Sequence, residues 1–363
     1  MTDMIAAEPS IVERILTAGA ASGSGASALA SAVAVAIRAG TPVVVTGCGT
    51  SEHAALAVAE ILREATGSPL VWSVQAFELS LDAPSNALVI AISHEGGTSA
   101  TNAALRASRA AGARTAVITV SSRSPGAALA DIVVETHEID QSWCHTVGYV
   151  SPIAAAIAVA GHITGVGVGS AVAGDLLRSG LSSAVQAQAD EIAVALAGVD
   201  RLLVLASGAD RAAGRELVLK VEEGAWLPAA YRDLETFLHG HLAATGPSTA
   251  VVAVATDRRA SVARTARLQG ALAAARVIGM PTAAIVSVDV DSMLAPDSTS
   301  LGRIVVADAP PDVPAAIAAL LGSSTALQTL TERLARARGV NPDPIHRDVA
   351  RYREAADAAD AGE

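Results

Sequence analysis

The stretch PVVVTGCGTSEHAALAVAEILRE, residues 42–64, decides the fold of this chain. A run of valines at 43–45 is followed by small residues at 47–51 and then by a segment with the composition of a helix. A strand without polar alternation that leads directly into a helix is typical of a parallel sheet covered on both faces. The same order recurs at residues 87–111, and another apolar run follows at 115–120. These units predict an α/β lobe.

The second half of the chain repeats this pattern. Its apolar runs lie at residues 202–205, 250–255 and 282–288, and Gly208 follows the first of them as Gly49 follows the strand at 43–45. The repeat predicts an internal duplication of one α/β lobe, with a helical connection between the copies. We predict an N-terminal lobe with the ligand loops, a C-terminal lobe and a tail, at residues 1–180, 181–340 and 341–363.

Composition and charge narrow the range of functions. The 25 Lys and Arg residues are outnumbered by 36 Asp and Glu, so the chain lacks the broad positive surface that nucleic-acid binding needs. Its most apolar window, residues 153–177, is interrupted by glycines and polar residues, which favours a buried helix over a membrane span. No secretory signal is visible, and Cys48 and Cys144 are not spaced as metal ligands. We therefore expect a cytoplasmic protein with no nucleic-acid partner, membrane attachment or metal.

Two loops rich in glycine and hydroxyl groups follow neighbouring apolar runs. The first contains Gly49, Thr50 and Ser51, and the second extends from Ser93 to Thr98. Ligands of open parallel sheets bind beyond the carboxyl ends of the strands, and helix N-termini there stabilise anions. Each loop alone could also be a helix cap. The occurrence of both at adjacent strand ends favours a ligand site in the first lobe.

Several further motifs occur in a fixed order along the chain. They are GCGTS at 47–51, ISHEGGTSAT at 92–101, VGYVSP at 147–152, ELVLKVEEG at 216–224 and LHGH at 238–241. Together they resemble the double-SIS (sugar isomerase) proteins, in particular the isomerase half of glucosamine-6-phosphate synthase and its stand-alone relatives. The resemblance implies two tandem SIS lobes, each a flavodoxin-like three-layer sandwich with a parallel sheet flanked by helices. It also implies a homodimer with shared active sites.

The resemblance implies a role for each motif. Residues that bind the sugar phosphate or wall its site would be Gly49, Thr50, Ser51, Ser93, His94, Glu95, Gly97, Thr98, Tyr149 and Ser151. Glu223 would move the proton between C1 and C2, and His239 would open the sugar ring across the dimer interface. These residue types suit general acid–base catalysis. On the residues alone, a solvated acidic pair at Glu222 and Glu223 and ordinary loop histidines are the favoured interpretation.

Two departures from the family pattern bear on which substrate is expected and how it is bound. Glu95 stands where the family usually has a serine, so a substrate with a cationic amino group, or a sugar without phosphate, stays open beside a sugar phosphate. In the tail, Arg351 lies near the place of the synthase's lysine, and arginine remains protonated and does not form an imine. His346 is a candidate to lie over the ligand instead.

These observations lead to two hypotheses. The first is a metal-independent, cofactor-free isomerase or deaminase that acts on an amino sugar or sugar phosphate by proton transfer between C1 and C2. No GxGxxG or GxxxxGK[ST] motif is present, so no nucleotide cofactor is expected. No glutaminase activity is expected either. The second is a non-catalytic sensor that binds a sugar phosphate through the same lobe.

Overall fold

Two five-stranded sheets form the centre of the fold, and the computed structural model of the chain describes residues 1–360. The strands of the first sheet, β1 to β5, are Val43–Gly47, Val71–Gln75, Leu88–Ile92, Arg114–Thr119 and Ile132–Glu135. Those of the second, β6 to β10, are Arg201–Ala206, Ala229–Asp233, Thr249–Ala255, Thr282–Ser287 and Arg303–Val306. The last three residues of the predicted tail, 361–363, lie outside the described part.

Helices cover both faces of each sheet. In chain order, α1 to α14 are Thr2–Gly19, Gly25–Arg38, Thr50–Thr66, Ala76–Leu81, Ser99–Ala110, Val147–Thr164, Ser170–Ser179, Ser183–Leu196, Asp210–Ala225, Leu234–Leu238, Ser261–Ile278, Val288–Met293, Ala315–Ala337 and Ala350–Asp360. Short 3-10 helices occur at Ala127–Leu129, His241–Ala244 and Pro296–Ser298.

The two sheets have the same topology. The strand order is β2-β1-β3-β4-β5 in the first and, read from the opposite edge, β7-β6-β8-β9-β10 in the second. Every strand pair is parallel. This is the flavodoxin-like order, in which the chain changes direction across the sheet between the first and third strands. The predicted fold, a duplicated α/β lobe with parallel sheets, is confirmed.

The cores of both lobes are built from small aliphatic side chains. β1 and β3 are buried along their whole length, and α6 packs against α1, α2 and α3 within the same core. Among the described residues, α6 is the one helix long and apolar enough to cross a membrane, but 78% of it is buried within the protein. The burial of α6 is that of a core helix.

The helical connection between the sheets consists of three helices, α6, α7 and α8. Gly165 ends α6 in the left-handed conformation, and a turn near residue 180 separates α7 from α8. The long helix α13 follows the second sheet but joins the two lobes. Its first half lies in the core of the first lobe with Ile317 and Leu320, and its second half lies in the core of the second.

Candidate functional site

The clearest candidate site lies at the carboxyl end of the first sheet, where the loops after β1 and β3 diverge. An open cavity of about 400 Å³ is found there. Its lining comes from both loops, the segment before α6, the end of α9 and the tail: Cys48, Gly49, Thr50, Ser51, His94, Glu95, Gly97, Thr98, Trp143, His145, Gly148, Glu223, Ile345 and Arg347. The structure therefore brings eight of the predicted site residues to one cavity.

The two hydroxyl loops do not cap the helices that follow them. Gly49 has φ 58° and ψ −129°, a conformation that favours glycine, and α3 then begins at Thr50 without a side-chain cap. Thr98 is the N-cap residue of α5, but its side chain makes no capping hydrogen bond. The hydroxyls of Thr50, Ser51 and Thr98 form no hydrogen bond with the described residues. They are thus available to a ligand, beside the N-termini of two helices.

The equivalent strand ends of the second lobe carry two aspartates that bond to the protein's own backbone. The backbone N–H of Ala209, at the start of α9, donates to Asp257 Oδ2 over 2.8 Å, and Asp257 is paired with Arg259 and Arg264. Asp210 accepts from the backbone N–H groups of Thr256 and Asp257. Burial raises the pKa of Asp210 to about 6 despite these hydrogen bonds. At these strand ends of the second lobe, carboxylates of the protein therefore accept hydrogen bonds from backbone amides.

A group of buried ionisable side chains connects to Glu223 on the side away from the cavity. Lys220 Nζ lies 2.6 Å from Glu223 Oε2 and 3.7 Å from Glu216 Oε1, and His53 Nδ1 lies 2.8 Å from Glu216 Oε2. The side chains of Lys220 and Glu216 are fully buried. Burial alone would lower the pKa of Lys220, but the carboxylates of Glu216 and Glu223 outweigh it and hold that pKa above its usual value. Lys220 is therefore an ammonium that holds the Glu223 carboxylate in place.

Lys220 is the only lysine in the chain, and all its other basic side chains apart from histidine are arginines. Lys220 is not among the predicted site residues, although its unique occurrence inside the ELVLKVEEG motif is visible in the sequence.

Two charged side chains line the cavity without an ion pair. Glu95 is exposed in the loop after β3, and it forms no ion pair with the described residues. The guanidinium of Arg347 lies 3.7 Å from the centroid of the Trp143 ring and likewise has no carboxylate partner. Arg347, which is not among the predicted site residues, brings a positive charge to the cavity.

Five predicted site residues lie outside the cavity lining. Ser93, Tyr149 and Ser151 are buried, and their hydroxyls have no hydrogen-bond partner within residues 1–360. His239 follows α10, where 76% of its side chain is exposed and Nε2 lies 3.2 Å from Glu235. The ring of His346 is stacked between Trp226 and Tyr352, with centroid distances of 3.6 and 4.3 Å, although its neighbours Ile345 and Arg347 reach the cavity.

Comparison with known proteins identifies the domain that carries this cavity. Residues 37–160 match the family model described as the SIS domain. The chain is 27% identical over 252 residues to the glutamine–fructose-6-phosphate aminotransferase (isomerizing) of Symbiobacterium thermophilum. That alignment covers 66% of this chain and 41% of the relative, so the chain spans about two fifths of its length.

Solved structures with the same fold include enzymes of several activities. The C-terminal domain of glucosamine-fructose-6-phosphate aminotransferase from Francisella tularensis has a TM-score of 0.77 at 18% identity, with 93% of this chain and 96% of that chain covered. Tagatose-6-phosphate ketose/aldose isomerase from Escherichia coli has a TM-score of 0.74 at 20% identity, with 94% of each chain covered. The predicted resemblance is confirmed by these matches. Residues 37–160 of the first lobe therefore match the SIS domain, and the two lobes together have the same fold as these solved structures.

Proposed function

We propose that this chain is an enzyme that moves a proton between C1 and C2 of a sugar phosphate or amino sugar phosphate, as an isomerase or a deaminase. One observation carries the proposal. The carboxylate of Glu223, held by the buried ammonium of Lys220, lines the same cavity as the hydroxyls and helix N-termini of the first lobe. A positioned carboxylate and an oxygen-binding cradle are what proton transfer at a bound sugar requires.

In this proposal, the loops after β1 and β3 bind the phosphate. Thr50, Ser51 and Thr98 would donate hydrogen bonds from their hydroxyls, and the N-termini of α3 and α5 would stabilise the anion. Glu95 opposes a dianion, but the guanidinium of Arg347 lines the same cavity and can offset it. This balance favours a phosphorylated ligand over a purely cationic one.

The sugar's C1 and C2 would then lie near Glu223. Its carboxylate takes the proton from one carbon, an enediol or enolamine forms, and the proton returns to the neighbouring carbon. Lys220 is buried behind Glu223 and does not line the cavity, so its role in this step is to hold the carboxylate. Isomerisation and deamination share this proton transfer. Isomerisation also moves a hydroxyl proton between O1 and O2, whereas deamination ends when water hydrolyses the resulting imine and releases ammonia.

The proposal is tested by incubating the protein in heavy water with sugar phosphates and following the C1 and C2 protons by NMR. Fructose 6-phosphate, tagatose 6-phosphate and glucosamine 6-phosphate would be compared with the same sugars without phosphate. We expect exchange at C1 or C2 for at least one phosphorylated sugar. Exchange only with unphosphorylated sugars would refute the assigned phosphate loops. Tight binding without exchange would identify a sensor instead of an enzyme.

We further propose that the protein acts as a homodimer in which His239 completes the site of the neighbouring subunit. His239 is exposed and does not line the cavity of its own chain. Ring opening needs an acid–base group such as an imidazole, so we assign His239 to the site of the neighbouring subunit. The inactive variants Glu223→Gln and His239→Gln can be mixed in equal amounts, unfolded and refolded together. About half of the dimers are then mixed, and one of the two sites in each mixed dimer is intact, so about a quarter of the wild-type activity should return. No recovery, in a mixture shown to contain mixed dimers, would contradict the shared site.

A further inference from the structure

Asp140 organises one wall of the cavity. It is 6% exposed and precedes α6. Its carboxylate accepts hydrogen bonds from the backbone N–H groups of Ser142, Thr146 and Gly148, over 3.2, 2.6 and 3.3 Å, and so holds the start of α6. Its own backbone N–H donates to Nε2 of His94 over 2.9 Å. The segment before α6 is thereby tied to the loop after β3.

This last hydrogen bond determines the protonation state of His94. A backbone N–H can only donate, so Nε2 must present a lone pair. An imidazolium carries protons on both nitrogens and would place two donors against each other. The ring is therefore neutral, and its one proton is on Nδ1.

The surroundings of His94 agree with this state. The titratable groups that face its ring are His145, with ring centroids 5.5 Å apart, and Asp140. Burial, together with His145, lowers the pKa of His94 to about 4, although the carboxylate of Asp140 acts in the opposite direction. His94 thus stays neutral throughout the range in which most enzymes work.

We propose that Asp140 fixes His94 as a neutral hydrogen-bond donor, whose Nδ1–H binds an oxygen atom of the ligand in the cavity. Nδ1 forms no hydrogen bond with the described residues, and the ring lines the cavity beside Thr50 and Thr98. The partner must be an acceptor, such as a phosphoryl or hydroxyl oxygen, because an ammonium group would meet another donor. His94 is then a binding residue and Asp140 a positioning residue. The identity of the ligand as a sugar phosphate rests on the proposed function.

Two substitutions separate the two nitrogens of His94. In Asn the amide nitrogen can occupy the position of Nδ1, and in Gln the amide oxygen can occupy that of Nε2. We expect His94→Gln to keep the hydrogen bond from the backbone N–H of Asp140, so the variant should melt at the same temperature as the wild type. Its binding of glucosamine 6-phosphate, measured by calorimetry, should be about tenfold or more weaker. We expect His94→Asn to bind within about threefold of the wild type but to melt at a lower temperature, because the N–H of Asp140 loses its acceptor. Equal binding by His94→Gln and the wild type would overturn the proposal.

A second measurement needs no ligand. Nitrogen-15 NMR of the wild type, with His94 assigned from the spectrum of His94→Gln, distinguishes the two neutral tautomers from the imidazolium. We expect a protonated Nδ1 that does not change near neutral pH, and a protonated Nε2 would refute the inference. If the wild type binds none of the phosphorylated probes, the proposed function fails, while the NMR spectrum still decides the state of His94.

Discussion

Replacing Glu223 by Gln is expected to slow deuterium exchange at C1 and C2 of the substrate by about 10²–10⁴-fold, the usual contribution of a positioned acid–base group. The amide has nearly the same shape as the carboxylate but does not accept a proton from carbon. Lys220 keeps its neighbour Glu216, so the fold and the binding of the sugar phosphate should be preserved. The effect should therefore appear in the exchange rate and not in the dissociation constant.

The adjacent carboxylate provides a matched control. Glu222 is exposed, and its Oε1 accepts a hydrogen bond from the backbone N–H of Ala229 instead of lining the cavity. Glu222→Gln should exchange deuterium at close to the wild-type rate. Equal losses in both variants would mean that the helix end, and not the Glu223 carboxylate, had been disturbed. An unchanged rate in Glu223→Gln would remove Glu223 as the base.

The centre of each lobe could be predicted from sequence because its strands are apolar on both faces. The three strands predicted in each half correspond to β1, β3 and β4 and to β6, β8 and β9. The four strands that were not predicted are the sheet edges, β2, β5, β7 and β10. Their residues are half-exposed or alternate with buried ones, so no continuous apolar run marks them. Tertiary pairing, and not local pattern, makes these segments strands.

The same distinction applies to the cavity. Its two hydroxyl loops were predictable because the carboxyl ends of neighbouring parallel strands meet at one edge of the sheet. Trp143, Ile345 and Arg347 were not, because they reach the cavity through contacts between distant parts of the chain. The backbone N–H of Trp143 donates to the carbonyl of Asp343, whose carboxylate pairs with the amino group of Met1. Neither contact leaves a local pattern in the sequence.

Replacing Lys220 by Met is expected to lower the free energy of unfolding by about 3–5 kcal/mol, as measured by urea denaturation, since removing one partner of a buried ion pair leaves an uncompensated charge. Surface ion pairs contribute about 0–1 kcal/mol, so Arg178→Met, at a position half-exposed beside Glu13 and Asp175, serves as the control.

A double substitution separates charge from packing as the cause of this loss. If the buried carboxylate of Glu216 is what destabilises Lys220→Met, then adding Glu216→Gln should recover a large part of the lost stability, because a neutral amide needs no counter-ion. A double variant that is less stable than Lys220→Met alone would contradict this account. It would mean that the hydrogen bond from His53 to Glu216 stabilises the site more than the ammonium does. Recovery of stability without recovery of deuterium exchange would show that the ammonium of Lys220 is also needed to hold the Glu223 carboxylate for the reaction.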